Sequence, residues 1–307
     1  MAVATRKSFG EALLDLGGKD DKIVVLDADL SKSTMSKLFA EKYPDRFFEM
    51  GISEANMIGA GAGLALGGKK PFICSFACFV TGRYDTIRIS VAYSRTPVRI
   101  VGTHVGIGIG EDGNSQMGLE DVGLMRGLPN MTVIQPADDI ETKQAVKWMA
   151  DNDVPSYIRL TRQNLEAVNG SDYTFELGKA VELVEGNDIT IMASGGTVHN
   201  SVVAAELLKK DGISAGVVNI HTIKPIDSEA IINYAEKTGH IFTVEDHNII
   251  GGLGTAVAEV MASSGDGGKL TRHGLHDVFG ESGTYEELYK KYKLDPEGIA
   301  SEVKNAL

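Results

Sequence analysis

The stretch Pro71-Phe72-Ile73-Cys74-Ser75-Phe76-Ala77-Cys78-Phe79-Val80 decides how the chain is read. Its first four residues form an apolar run without polar alternation, the pattern of a strand buried on both faces. Helical spacing follows almost at once and predicts a helix over 79–94. The same switch recurs outward in both directions. Short buried runs lie at 23–26, 98–102, 131–135 and 157–160, and helical patterns lie near 9–17, 54–67, 119–127 and 139–150. Strand–helix units at this spacing predict a mostly parallel sheet covered by helices on both faces. The polar segment 164–173, with Asn169-Gly170-Ser171-Asp172 as its loop signal, is the expected linker. Beyond it come a strand at 189–193, a helix over 198–210, a strand at 215–219, a helix after Asp227 and a strand at 240–245. The stretch 285–306 reads as two helices flanking Asp295-Pro296. The predicted fold class is α/β with two domains, 1–168 and 169–307, each a mostly parallel sheet flanked by helices.

The bulk properties agree. A chain of 307 residues is long enough for two domains with their own cores. Hydrophobic residues at 43% and charged residues at 23% are globular values, which argues against wholesale disorder. The formal net charge of −12 disfavours a nucleic-acid or anionic-membrane partner, which would call for a basic face. No apolar run approaches the ~18 residues of a membrane span. The opening Met-Ala-Val-Ala-Thr-Arg-Lys lacks the apolar core of a signal peptide. Cys74 and Cys78, the two cysteines, argue against a disulfide scaffold and fit a reducing cytoplasm, so a cytoplasmic location is expected. Without a second ligand pair they are poor zinc ligands and read as small buried hydrophobes. The 36 glycines concentrate at 59–68, 106–118 and 251–254, where close backbone approach or positive φ is expected.

In parallel α/β folds ligands sit beyond the carboxyl ends of the strands, so polar residues at 27–33, 75–79, 104–116 and 161–164 carry most weight. Glu54 follows Gly51-Ile52-Ser53 and opens a helix. The plain reading is an acid that offsets the helix dipole by ~0.3–1 kcal/mol, with Ser53 as N-cap. The next turns, Ile58-Gly59-Ala60-Gly61-Ala62-Gly63-Leu64, pull the other way. Each interior glycine costs ~0.8–1 kcal/mol relative to alanine, and close packing on another helix at a subunit interface would offset that. An acid at the start of such a helix would be buried and placed to donate a proton. Phe76 and Phe79, one helical turn apart, are either core packing or a stacking wall for a flat heteroaromatic ring.

His104 follows a strand, and Asp112 and Gln116 lie in the glycine-rich loop after it. The three form a polar cluster suited to hydroxyls or phosphate, although the loop matches no nucleotide-binding signature. Among Arg6, Arg159 and Arg162, Arg162 is the best placed to hold a phosphate bidentately. His247 reads as structural. His273 and His276 near Asp277 lack a third metal ligand at a recognisable spacing.

Seven spaced motifs together resemble transketolase: Ala4-Thr-Arg-Lys7, Asp27-Ala-Asp-Leu-Ser-Lys-Ser33, Ile52-Ser-Glu-Ala-Asn-Met57, Ser75-Phe-x-x-Phe79, Gly102-Thr-His104, Gly110-Glu-Asp-Gly-x-Ser-Gln116 and Arg159-Leu-Thr-Arg162. The resemblance spans the family's pyrimidine-binding and C-terminal domains, essentially this whole chain, and the Ser-Gln form of the loop is nearest to animal-type enzymes. It implies roles. Glu54 would hydrogen-bond the pyrimidine nitrogen of thiamine diphosphate, promoting the imino tautomer that removes the thiazolium carbon proton. Phe79 and Phe76 would form the pyrimidine pocket, with Asp29 near the cofactor. His104 and Asp112 would bind the donor sugar's hydroxyls. Arg6, Ser33 and Arg162 would clamp its phosphate, with Gln116 at the edge of the channel. One departure is Gly82, where related enzymes often carry Arg or Tyr; Arg83 is next to it.

The resemblance also exposes an absence. Full-length transketolases carry a preceding domain whose Gly-Asp-Gly…Asn motif holds Mg²⁺ and the diphosphate. Here Gly265-Asp266-Gly267 comes near the end without the asparagine, and is rejected as that site. The chain therefore reads as the C-terminal subunit of a split transketolase. It would need a separate diphosphate-binding N-terminal subunit in an α₂β₂ assembly in which this chain also dimerises. The implied reaction moves a two-carbon ketol unit from xylulose 5-phosphate to ribose 5-phosphate. The alternatives are the beta subunit of a 2-oxoacid dehydrogenase, a deoxyxylulose-phosphate-synthase-like enzyme and a non-catalytic regulatory homologue.

Overall fold

Among the described residues the strands are β1 (Val3–Ala4), β2 (Ile23–Asp27), β3 (Phe47–Glu49), β4 (Lys70–Phe76), β5 (Arg99–Thr103), β6 (Thr132–Ile134), β7 (Ser156–Arg159), β8 (Asn164–Leu165), β9 (Val181–Val184), β10 (Ile189–Ala193), β11 (Ala215–Asn219), β12 (Thr222–Lys224), β13 (His240–Asn248) and β14 (Lys269–Leu275). The computed structural model describes residues 2–265 and 268–307, so Asp266 and Gly267 of the rejected Gly-Asp-Gly lie outside the described residues.

The first sheet has the order β12-β6-β7-β5-β4-β2-β3. Its neighbours are parallel except for β12, which pairs antiparallel with β6. All residues of β2, β5, β6 and β7 are buried, which is why these strands lack polar alternation. Helices cover both faces. Thr5–Lys19 and Asp139–Asp151 pack Phe9, Leu13, Val146 and Met149 against Phe72 and Ile158, while Glu54–Leu66 packs Met57 and Ile58 against Ile73 and Ile100. Each such side chain contributes roughly 1.5–3 kcal/mol when fully buried. Asp138 caps the second of these helices by accepting from the Glu141 N–H at 2.9 Å.

The second sheet, β14-β13-β10-β11-β9, is parallel apart from β9. Helices Val198–Lys210 and Pro296–Ala306 lie on one face, and Ser228–Thr238 and Leu253–Ser264 on the other. Both expected closing helices form, as Tyr285–Lys291 and Pro296–Ala306. The helix expected over 79–94 is broken into Ala77–Thr81, Tyr84–Ile87 and a π-helical turn, Arg88–Tyr93. Arg83, at φ −95° and ψ 43°, leaves the helical region and separates the first two.

The two halves are sewn together. β12 follows the linker yet completes the first sheet. Asn219 donates to both carboxylate oxygens of buried Glu141, at 3.0 and 3.2 Å, and Tyr173 of the expected linker donates to the same group at 2.6 Å. Burial pushes the Glu141 carboxyl up to about 7. Among the described residues no helix is long and apolar enough to cross a membrane.

Candidate active site

The carboxyl ends of β2, β4, β5 and β7 converge on one region, as a parallel sheet requires. Arg6 arrives from the far end of the sequence. β1 pairs antiparallel with β8, setting Ala4 opposite Asn164, and the Thr5 hydroxyl accepts from the Thr161 N–H at 2.7 Å. Arg6 and Arg162 thereby line the same cleft, about 410 Å³ in volume, with Ile109, Glu111, Gln163, Tyr285 and Glu286.

Arg6 joins two others of the expected site residues. Its Nη1 donates to the Ser33 carbonyl at 2.8 Å and to His104 Nε2 at 3.1 Å. A guanidinium can only donate, so Nε2 is the acceptor and the His104 proton sits on Nδ1, 2.8 Å from the Thr103 hydroxyl. Burial, reinforced by the Arg6 and Arg162 charges, pushes the His104 imidazole down to about 3. His104 is therefore neutral at physiological pH. Its backbone is at φ 58°, a left-handed conformation that side chains seldom take, and this turns the ring back over the strand ends. Arg6 is itself shifted down by burial and by Arg162, with Asp112 opposing, and its Nε is buried without a partner. Two guanidiniums share this cleft, an arrangement that favours an anion.

The aromatic pair lies beside this clamp. Phe76 stacks on His104 with centroids 3.8 Å apart and on Phe79 at 5.6 Å and 11°. Glu54 is buried at the start of its helix, and Oε1 accepts from the Ser75 hydroxyl at 3.1 Å. Ser53 holds the N-cap position but makes no capping bond with its side chain. Among the described residues nothing else donates to Glu54, so Oε2 remains open to a ligand. A buried carboxylate with a free oxygen beside a stacked aromatic pair fits the pyrimidine ring of thiamine diphosphate.

The remaining expected residues differ in placement. Asp29 is exposed at φ 63°, held by its N–H to Glu49 at 2.7 Å. Asp112 is exposed and Gln116 half-buried on the loop after β5. Arg162 binds the Ile109 carbonyl and pairs with Glu111 at 3.1 Å. Arg83 is exposed in the bend after its helix. Arg159 points into the core, not the cleft, in a fully buried ion pair with Asp121 at 2.9 Å. His247 is buried near the same Asp121, with a pKa of about 4 caused first by burial, in keeping with a structural role. His273 contacts the Lys293 carbonyl. Among the described residues no group of three His, Cys, Asp or Glu could hold a metal ion.

Ser75, the partner of Glu54, and Gln163 fall within the weighted stretches 75–79 and 161–164 without standing out there, and Tyr285 and Glu286 fall outside every such stretch. Gln163 and Ser75 adjoin Arg162 and Phe76, so their proximity was available. Tyr285 and Glu286 come from the second domain, and no local pattern marks them.

The fold and this constellation define a two-domain α/β protein that gathers two arginines, a neutral histidine and a stacked aromatic pair at its strand ends. Two family models match it: the transketolase pyrimidine binding domain over residues 1–168 and the transketolase C-terminal domain over residues 178–299. The chain belongs to the transketolase family. A protein of Methanocaldococcus jannaschii named as a transketolase C-terminal section is 49% identical over 97% of this chain and 94% of its own length. The 6-deoxy-6-sulfo-D-fructose transketolase subunit of a Clostridium species is 42% identical over 96% of this chain and 91% of its own. A solved split-gene transketolase, described as an inactive beta4 tetramer, superposes with a TM-score of 0.92 at 45% identity, covering 99% of this chain and 98% of that one. This chain is thus a transketolase-type C-terminal subunit of a thiamine-diphosphate-dependent family.

Proposed function

We propose that this chain is the C-terminal subunit of a split transketolase that transfers a two-carbon ketol unit from xylulose 5-phosphate to ribose 5-phosphate. The observation that carries the reading is neutral His104, bonded to Arg6 through Nε2 and stacked on Phe76. That one ring joins an anion clamp to an aromatic platform beside buried Glu54. Arg6 and Arg162 would hold the terminal phosphate bidentately. His104 and Asp112 would orient the donor hydroxyls, with Ser33 and Gln116 along the channel. Asp29 would lie near the cofactor. Glu54 Oε2 would hold a proton toward the pyrimidine nitrogen, and Phe76 with Phe79 would fix the ring plane. Thiamine diphosphate supplies the nucleophilic carbon and the electron sink when bound.

A separate N-terminal subunit would hold Mg²⁺ and the diphosphate, in an α₂β₂ assembly. The likeness to a split-gene relative supports this division. The sulfofructose enzyme among the relatives makes the sugar pair a matter for direct assay. The test is ketol transfer from xylulose 5-phosphate to ribose 5-phosphate with thiamine diphosphate and Mg²⁺, on this chain alone and with its co-purifying subunit. Activity in the mixture only is expected. Activity of the chain alone overturns the split assembly, and silence in both overturns the substrate assignment.

A further inference from the structure

The loop from Gly106 to Gly113 carries Asp112 and presents the Ile109 carbonyl to Arg162. Its root is closed within the first domain, where the Gly106 N–H donates to the Gly118 carbonyl at 2.9 Å. Its next two N–H groups turn to the other domain. Ile107 donates to Asp246 Oδ1 at 2.8 Å and Gly108 to Oδ2 at 3.3 Å. Asp246 sits on β13 and is 2% exposed. Its Oδ2 also accepts from the Tyr289 hydroxyl at 2.8 Å, and that hydroxyl accepts from Gln163 Nε2 at 3.1 Å. Gln163 is the neighbour of Arg162. One carboxylate thus joins both segments that frame the anion cleft.

The fit leaves no slack. Gly106 is at φ 66°, and a Cβ there would lie 2.1 Å from Asp246 Oδ2, while one at Gly108 would lie 2.3 Å from Gln163 Nε2. A second tie holds the far end of the loop, where the Gly280 N–H donates to Asn114 Oδ1 at 3.0 Å. A buried carboxylate is costly unless its oxygens are bonded, and here three donors satisfy it. Asp246 itself does not line the cleft, whereas Gly108, one of the groups it holds, does.

We propose that Asp246 is a positioning residue through which the second domain fixes the backbone at Ile107 and Gly108, and with it the Ile109 carbonyl and Arg162 in the sugar-phosphate site. The substrate part of this inference rests on the proposed function; the holding of the loop does not. Asp246→Asn keeps the size and one acceptor but turns an amide donor toward groups that themselves donate. Tyr289→Phe removes one of the three donors with little change of shape, and serves where the first variant fails to fold.

Amide hydrogen exchange on the full chain reads the loop directly. In either variant the Ile107 and Gly108 amides should exchange at least roughly tenfold faster while those of β4 and β5 keep their protection. In the assembly with its partner subunit, KM for xylulose 5-phosphate should rise roughly ten- to a hundredfold, with the apparent affinity for thiamine diphosphate retained. Unchanged exchange at Ile107 and Gly108 overturns the proposal, as does equal loss of protection throughout the domain or a loss of cofactor affinity matching that of the sugar. Where the wild-type assembly does not use xylulose 5-phosphate, the functional reading fails and the exchange data alone decide whether Asp246 holds the loop.

Discussion

Glu54 and His104 carry opposite requirements, and each makes a prediction at the scale of a single side chain. Glu54 offers a free oxygen in a buried setting, so Glu54→Gln should cost roughly 10²–10⁴ in kcat of the assembled enzyme, the range of a general acid–base group. Normal turnover in that variant would remove Glu54 from the chemistry. His104 is held neutral, its pKa pushed by burial to about 3 from the ordinary imidazole value of 6.5. The unfolded chain binds this proton first as pH falls, so the stabilising contribution is full above about pH 6.5 and drains away toward pH 3. His104→Gln keeps an acceptor for Arg6 and removes the titration. The stability advantage of wild type over this variant, measured by denaturant midpoints, should shrink steadily below about pH 6.5. His221 and His247 are depressed in both proteins and cancel. Parallel pH profiles would mean that His104 is not held neutral by its site. These residues stand out in the sequence because Glu54 opens a helix and His104 follows a strand, each within a motif. Asp246 does not, since its partners Ile107, Gly108 and Tyr289 are spread over 183 positions of chain and only the fold brings them together.

Among the elements, the helix Glu54–Leu66 is the one whose composition contradicts its own stability. Gly61 has a local reason, because a Cβ there would meet the Ile73 side chain at 2.8 Å. Gly59 and Gly63 have none: a Cβ at either would meet nothing within 4 Å in this chain. The same face ends in exposed Ile52 and Leu66, at 85% and 77%, and the neighbouring π-helical turn adds exposed Tyr93 at 80%. A bare, smooth helix face flanked by large exposed hydrophobics is what an association surface requires. Gly63→Ala should therefore stabilise the isolated chain by up to ~1 kcal/mol while weakening its assembly, read as a higher melting temperature together with a smaller mass in sedimentation. A variant that assembles normally would leave the glycines without this explanation. The expectation that this helix packs at an interface comes from its glycine spacing. The break after Gly82 was not legible, because the hydrophobic periodicity runs on across a bend set by the backbone of Arg83.

At the scale of the whole molecule, the linker separates two sheets without separating two folding units. β12 occupies the edge of the first sheet, the Arg159 guanidinium donates to the Asp246 carbonyl across the seam at 2.8 Å, and one continuous apolar cluster runs from Met57 and Ile73 to Met192 and Ile241. The parallel strands with long apolar runs could be read from the sequence. β12 could not, because three residues are too few for periodicity, nor could β14, whose Lys269-Leu-Thr-Arg-His-Gly-Leu275 mixes polar and apolar side chains. Truncation after residue 168 would strip β12 from β6 and leave a bare edge over Val133, so the isolated first half should aggregate. The full chain should unfold as one unit. Trp148, the single tryptophan, sits on the first-domain helix Asp139–Asp151 and reports that domain alone, whereas far-ultraviolet circular dichroism reports both. Coincident urea transitions by the two probes are expected. A fluorescence transition displaced from the dichroism would show that the halves unfold separately, and the second domain could then hold the loop of the first only as a docked neighbour.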